Sequence, residues 1–362
     1  MRVVLAGGGT AGHVNPAIAV ARALTGDDVS FVGTDRGVEA SLVPEAGYEL
    51  DNIRVVGFDR ARPLTFPATA ARAMGAIRGA RSILKAARPD VVVGMGGYVS
   101  LPVSLAARSA GVPVVLHEQN IVLGLAHKVC KPFAARIGVS FDETLAEVGH
   151  KGVVVGNPVV PEIVTADRDS ERKRGLERFE LDPARRTLLV FGGSLGAQTI
   201  NQGTVELARF WSDRPDVQIV HILGRRHRPL DAASEGSLIY RALPYVDRMV
   251  EAYAVADLAL CRGGATTIAE LTVTGVPSVI VPYPHHRDRQ QERQGNVLAR
   301  AGAAVLIPDG EVDAARLAAE CGDLLSDGDR LDAMRTSALG LGRPDAAERM
   351  AAVVRAAAGG RS

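Results

Sequence analysis

Aromatic residues are scarce in this chain: eight Phe, six Tyr and one Trp make up 4% of 362 residues. That disfavours an all-β protein. The apolar 47%, carried mostly by Ala, Val and Leu, suits parallel sheets covered by helices. Cysteine is almost absent. Cys130, Cys261 and Cys321 are far apart, odd in number and in no metal spacing, which argues against a disulfide framework and for a reducing compartment. Net charge is also nearly missing, at +1, so no global field draws in nucleic acid. No apolar stretch approaches the ~20 residues that span a bilayer. Met1-Arg2 runs straight into a core strand, which predicts no signal peptide.

Glycine, by contrast, is placed with purpose. Gly7-Gly8-Gly9-Thr10-Ala11-Gly12-His13 follows the apolar run Val3-Val4-Leu5-Ala6. Half a chain later, Gly192-Gly193-Ser194-Leu195-Gly196-Ala197 follows Leu188-Leu189-Val190-Phe191. Turns of this kind let backbone N–H groups and a helix N-terminus face an anion with no Cβ in the way. Two of them predict two nucleotide-type domains with a phosphorylated ligand held between them.

Strands and helices alternate around these loops. Strands are expected at 29–32, 91–93, 114–116, 187–191, 218–223, 258–261 and 278–281. Helices are expected at 16–24, 39–46, 64–88 (broken near Pro67 and Gly75), 98–110, 199–210, 290–301 and 344–358. The pattern predicts an α/β protein of two Rossmann-like, doubly wound parallel-sheet domains facing a cleft. The expected division is a domain over 1–160, a charged linker over 161–186, a second domain over 187–343 and a terminal helix over 344–362, packing back on the first domain.

Several groups invite a chemical reading, each beside a plainer one. Gly7, Gly9 and Gly12 spell the dinucleotide fingerprint, with Asp35 where a ribose-binding acid would lie. An NAD-dependent dehydrogenase therefore competes on that segment, although a second phosphate-type loop is foreign to it. His13 ends a glycine loop and opens a helix, whose N-terminus would keep it neutral and able to accept a proton. Thr267-x-x-Glu270 reads equally as a capping box or as a carboxylate for a ribose diol. His285, His286 and Asp288 have the look of metal ligands, but the cations beside them favour a polar loop that grips a sugar. Cys261 reads as a core residue. The stretch from Leu64 to Arg88 reads as a solvated amphipathic helix or as an anchor on anionic lipid.

Taken together, the motifs resemble glycosyltransferase family 28, the family of MurG-type peptidoglycan N-acetylglucosaminyltransferases. The resemblance rests on the loop at 8–13, on Gly94-Met95-Gly96-Gly97-Tyr98-Val99-Ser100, on the loop at 192–197 and on His117-Glu118-Gln119-Asn120. Gly156-Asn157-Pro158-Val159, the run from Cys261 to Glu270, and Asp288 to Gln291 complete it.

The resemblance implies a glycosyltransferase B fold and inverting transfer of N-acetylglucosamine from UDP-N-acetylglucosamine to the 4-hydroxyl of the muramyl sugar of lipid I. It implies work at the cytoplasmic face of the cell membrane, peripheral attachment to an anionic surface, no cofactor, no metal, and cell-wall synthesis proteins as partners. His13 would be the base. Thr10, Ala11, Gly12 and Asn120 would lie at the donor sugar. Ser194, Val246, Ala265, Thr266, Thr267, Ile268, Ala269, Glu270 and Gln291 would hold the nucleotide. Gly96, Gly97, Tyr98 and Glu118 would meet the acceptor. The chain departs from the family at Val160, where an Arg is common, at Leu195 in place of Gln, and at Ala11 in place of Gly. A nucleotide-sugar epimerase or a non-catalytic nucleotide-sugar binder on the same fold remains open at this level.

Overall fold

Short apolar runs that end in glycine become buried parallel strands, because in a sheet covered on both faces every side chain must be apolar. The computed structural model describes residues 1–55, 66–227, 236–286 and 288–360, and of residues 66–73 the backbone alone. The chain divides into two units, Met1–Val160 with Arg343–Ser362, and Pro161–Gly342.

The first unit runs β1 (Arg2–Ala6), α1 (Ala11–Ala23), β2 (Asp28–Gly33), α2 (Glu39–Glu45), β3 (Glu49–Asn52), α3 (Phe66–Ala87), β4 (Val91–Gly94), α4 (Gly97–Ser109), β5 (Val114–Glu118), α5 (Leu125–Cys130), β6 (Arg136–Val139), α6 (Leu145–Val148) and β7 (Gly152–Val154). The sheet order is β3-β2-β1-β4-β5-β6-β7, all parallel. Alternate residues of β1 feed opposite faces. Val4 and Ala6 join Ala80, Leu84 and Val103, whereas Val3 and Leu5 join Val14, Ile18 and Val20. The helix expected to break near Pro67 and Gly75 is continuous as α3. Leu64 lies outside the described residues.

The second unit runs α7 (Pro161–Val164), α8 (Arg168–Arg178), β8 (Arg186–Phe191), α9 (Gln198–Phe210), β9 (Val217–Ile222), β10 (Ile239–Leu243), α10 (Met249–Val255), β11 (Leu258–Cys261), α11 (Ala265–Thr274), β12 (Ser278–Ile280), α12 (Gln290–Arg300), β13 (Ala304–Leu306), α13 (Ala314–Ser326) and α14 (Gly328–Leu341). Its parallel sheet is ordered β10-β9-β8-β11-β12-β13.

Residues 161–186, read from composition as a linker, instead supply α7 and α8 to this unit. Asp167 caps α8 through the Ser170 N–H. Gly175 brings α8 so close to α10 that a Cβ there would stand 2.7 Å from the Glu251 carbonyl. The charges that suggested a linker are paired: Arg178 and Arg248 hold Glu251, and Arg248 also holds Glu171.

The last helix, α15 (Ala346–Gly359), belongs to the first unit. Its Met350, Ala351 and Val354 complete the face that carries Val3, Leu5, Val14 and Val115. Gly138 on β6 accommodates it, since a Cβ there would meet the Met350 sulfur at 2.7 Å. Truncating Met350 to Ala should therefore cost about 2–5 kcal/mol. The loss should appear as faster amide exchange in β1, β4, β5 and β6, with β8, β9 and β11 unchanged. Equal loosening of both sheets would show that α15 does not serve the first unit specifically.

Candidate functional site

In the first sheet the strand order reverses between β1 and β4, and in the second between β8 and β11. Ligands of open α/β sheets bind beyond the carboxyl ends of the strands at such points. The glycine loops lie there in both units, but they are used differently.

After β1, the loop is closed by the protein's own anion. Glu39, fully buried at the start of α2, accepts hydrogen bonds from the Gly9 N–H (2.9 Å), the Thr34 N–H (3.1 Å) and the Thr34 hydroxyl (2.7 Å). A Cβ on Gly8 would stand 2.5 Å from the Glu39 carboxylate. A pyrophosphate cannot share this seat with a buried carboxylate. The dinucleotide reading of the fingerprint therefore fails, and Asp35 points to solvent, 75% exposed.

The loop after β4 packs against the loop after β1. Gly97, at positive φ, approaches the Gly8 carbonyl so closely that a Cβ would stand 2.4 Å from it. Tyr98 lies against Gly9, with its hydroxyl 3.4 Å from that of Thr34. His13 sits in the first turn of α1. Thr10 is the N-cap, yet its hydroxyl is 2.9 Å from His13 Nδ1 instead of capping the helix. Burial lowers the His13 pKa, and the charge of His127 adds to this, while Glu118 and Glu39 oppose it. Burial is thus the largest cause of the lowering expected from the helix N-terminus.

The His-Glu-Gln-Asn run ends β5 and braces this region from within. His117 Nε2 donates to the Gly156 carbonyl (2.9 Å), and burial takes its pKa down to about 4. Gln119 donates to the Met95 carbonyl (3.0 Å). Glu118, 3% exposed, accepts from the Asn120 N–H (3.0 Å) and Nδ2 (3.3 Å), the Gly124 N–H (2.7 Å) and His127 Nδ1 (2.8 Å). Burial alone would raise its pKa, but the bond and charge of His127 and the two amides outweigh burial and hold it at about 2. The carboxylate expected to meet an acceptor is engaged on both oxygens by the protein.

The second unit's loop is open. Gly193, Ser194 and Leu195 are exposed, and among the described residues nothing accepts the N–H of Ser194 or Leu195. Gly196 and Gly224, both at positive φ, let the loop rest on the end of β9. A Cβ on Gly196 would lie 2.0 Å from the Leu223 carbonyl. The Arg225 N–H donates to the Ser194 carbonyl (3.1 Å), its guanidinium covers the Tyr245 ring at 4.0 Å, and His227 borders Gly196. Exposed amides, the N-terminus of the 13-residue α9 and the adjacent Arg225 guanidinium make a seat that suits an anion.

The neighbouring strand β11 leads through Arg262-Gly263-Gly264 into α11. Gly264 is the N-cap and Thr267 already lies inside the helix, so Thr267 and Glu270 do not form a capping box. Glu270 accepts instead from the Tyr253 hydroxyl at 2.7 Å, and Tyr253 packs its ring against Phe191 at the end of β8. Burial pushes the Glu270 pKa up to about 7, against the lowering by Tyr253. Gln294 fixes the turn through the Gly263 carbonyl (2.8 Å), and Gln291 accepts from the Tyr283 N–H (2.9 Å). Val246 is buried. The Tyr283 ring packs edge-on against His285 and His286, and among the described residues no group of three His, Cys, Asp or Glu could hold a metal ion. Cys261 is core, its thiol pushed up to about 12 by burial.

The first unit thus gathers Thr10, Ala11, Gly12, His13, Gly96, Gly97, Tyr98, Glu118 and Asn120. The second gathers Ser194, Ala265 to Glu270 and Gln291. Sequence reasoning missed Glu39, His127, Tyr253 and Arg225. Glu39 could have been suspected from its place at the start of the helix after β2. Nothing local marks the other three.

Two parallel Rossmann-type sheets with glycine loops at both switch points are the architecture of the glycosyltransferase B fold. Residues 3–139 match the glycosyltransferase family 28 N-terminal domain and residues 187–350 the family 28 C-terminal domain, and the chain belongs to that family. It is 42% identical to the UDP-N-acetylglucosamine–N-acetylmuramyl-(pentapeptide) pyrophosphoryl-undecaprenol N-acetylglucosamine transferase of Cutibacterium acnes, over 99% of this chain and 98% of that one. It is 38% identical to the protein of the same name from Desulforamulus reducens, over 96% of each. The crystal structure of MurG from Acinetobacter baumannii aligns with a TM-score of 0.75 at 28% identity, covering 98% of this chain and 99% of that one.

The Glu270 environment has a measurable signature. The folded chain holds this proton more tightly than the unfolded chain, so Glu270 costs stability progressively as pH rises from 4.5 to about 7. Glu270→Gln should therefore gain relative to wild type between pH 5 and pH 8 in urea unfolding. Tyr253→Phe, which removes a hydrogen bond to the ionised form, should deepen the wild-type loss. A difference between Glu270→Gln and wild type that is flat in pH would refute the shift.

Proposed function

We propose that this protein transfers N-acetylglucosamine from UDP-N-acetylglucosamine to the 4-hydroxyl of the muramyl sugar of undecaprenyl-pyrophosphoryl-MurNAc-pentapeptide, lipid I, giving lipid II for peptidoglycan synthesis. One observation carries the reading: the near-full-length match to transferases of that name falls on a chain whose second-unit glycine loop, among the described residues, is open to an anion while the loop after β1 is closed by Glu39. That asymmetry supports reading the nucleotide diphosphate onto the second unit. The amides of Ser194 and Leu195 and the start of α9 meet its charge as the bond to the sugar breaks. Glu270, oriented by Tyr253, accepts from the ribose hydroxyls, with Gln291, Val246, Thr266 and Thr267 around the nucleoside. Ile268 and Ala269 carry that helix.

The first unit is left for the sugar and the acceptor. His13, neutral and with Nδ1 against Thr10, takes the proton of the attacking hydroxyl at Nε2, and a single displacement inverts the anomeric carbon. Thr10, Ala11, Gly12 and Asn120 are assigned to the transferred sugar. Gly96, Gly97 and Tyr98 are assigned to the acceptor, with Glu118 acting through the residues it holds.

Incubation with labelled UDP-N-acetylglucosamine and a lipid I analogue tests this directly, and label in lipid is the expected result. An epimerised donor with no lipid product would point to an epimerase. His13→Ala should lower turnover about 100- to 10,000-fold while leaving UDP affinity near wild type. Transfer should persist in a strong chelator. Near-normal turnover of the variant would remove His13 from the mechanism, and activity lost to chelator and restored by magnesium would overturn a metal-independent route.

The acceptor is a lipid, yet no helix among the described residues is long and apolar enough to cross a membrane. Peripheral attachment through α3 meets this need. Met74, Arg78, Arg81, Lys85 and, just beyond the helix, Arg88 are exposed. The side chain of Arg72 lies outside the described residues. Each cation is worth about 1 kcal/mol near an anionic surface. Co-sedimentation with anionic liposomes should be salt-sensitive and should weaken on charge reversal at Arg72, Arg78 and Arg81. Undiminished binding of that variant at low salt would place the contact elsewhere.

A further inference from the structure

Beside His13 the structure holds a second imidazole that the reading above leaves without a task. His127, on α5, is 3% exposed and donates Nδ1–H to the equally buried Glu118 at 2.8 Å. Its other nitrogen, Nε2, is buried, and among the described residues it has no hydrogen-bond partner. The two rings border one small space. A Cβ on Gly96, which sits at positive φ, would stand 2.7 Å from His13 Cδ2, 3.1 Å from His13 Nε2 and 3.6 Å from His127 Cε1. A purely structural histidine could be replaced by any residue that fills its volume. A buried carboxylate held by an imidazole whose other ring nitrogen is left unsatisfied is a costly way to fill space.

We propose that His127, held by Glu118, is a positioning residue for the transfer: the pair places beside His13 a charge that compensates the imidazolium formed when His13 takes the acceptor proton. The proposal rests on His13 being the base. The proton leaves the acceptor oxygen and stays on His13. No proton passes to the pair, and Glu118 remains ionised, its charge shared through the His127 Nδ1–H bond. The Nδ1–H that His127 donates to Glu118 attenuates the field that this carboxylate exerts on His13.

The other charged and titratable groups around this space are few. Glu39 comes from α2, His117 from β5 and Tyr98 from α4. Lys128 is turned to the Glu147 carboxylate (3.3 Å), and Lys131 is bound to the Glu147 carbonyl. None of them bonds to His127.

The test is the acid limb of the kcat/KM–pH profile for transfer to a lipid I analogue, which reports the base of the free enzyme. Glu118→Gln should move the limb to lower pH, and His127→Gln, which leaves the carboxylate unattenuated, to higher pH. Each shift should be about half a unit to one unit. Opposite shifts in the two variants are what a merely structural role would not produce. Where His127→Gln does not fold, Glu118→Gln alone decides by the direction of its limb. If the limbs stay at the wild-type pH while His13→Ala abolishes transfer, the base assignment stands and the proposal for His127 falls. If His13→Ala transfers normally, the base assignment falls first.

Discussion

The Glu39 carboxylate accepts three hydrogen bonds at the point where β1 hands over to α1, and the geometry of the first unit's site depends on it. Through the Gly9 N–H it sets the path of the first loop, and through Thr34 it ties that loop to the end of β2. The turn after β4 then rests on the first loop through the Gly97–Gly8 approach, and His13 follows on the next turn of helix. A buried charge is stable only with its donors in place. Loop, turn and imidazole therefore form one structural unit, not three separately adjustable parts.

The two glycine loops show how one local sequence pattern serves opposite ends. Both lie at a switch point, both need positive φ, and both lead into a helix N-terminus. In the first unit a side chain of the protein occupies the position an anionic ligand would take. In the second the amides stay exposed and cations gather beside them. What separates the two is a single carboxylate some thirty residues downstream of the first loop.

Much of this was legible in the chain. The central strands and the long helices follow from apolar runs and from glycine. The site residues follow from motifs spread over most of the sequence. What escaped did so for identifiable reasons. Helix α8 has almost no apolar periodicity, because its buried face is built of Gly175 and of Glu171, whose charge Arg248 pairs. Thr267 and Glu270 fit a capping pattern, but Gly264 caps α11 and Tyr253, seventeen residues away, claims the carboxylate. The low basicity of His13 was anticipated from the helix N-terminus, whereas burial turns out to dominate. Tyr253, His127 and Glu39 act through contacts that no local spacing reveals.

The composition of the units also bears on the order of assembly. Pro161–Gly342 is one unbroken stretch, whereas the first unit needs α15, which the ribosome delivers only after that stretch. The second unit has its full complement of core residues while the face of the first sheet that carries Leu5 and Val14 still lacks Met350 and Val354. Nascent chains ordinarily complete their domains from the N-terminus onward. Here that sequence is reversed. The second unit can reach its native state during synthesis, and the unit that carries His13 must wait, with an apolar sheet face uncovered, until α15 has emerged.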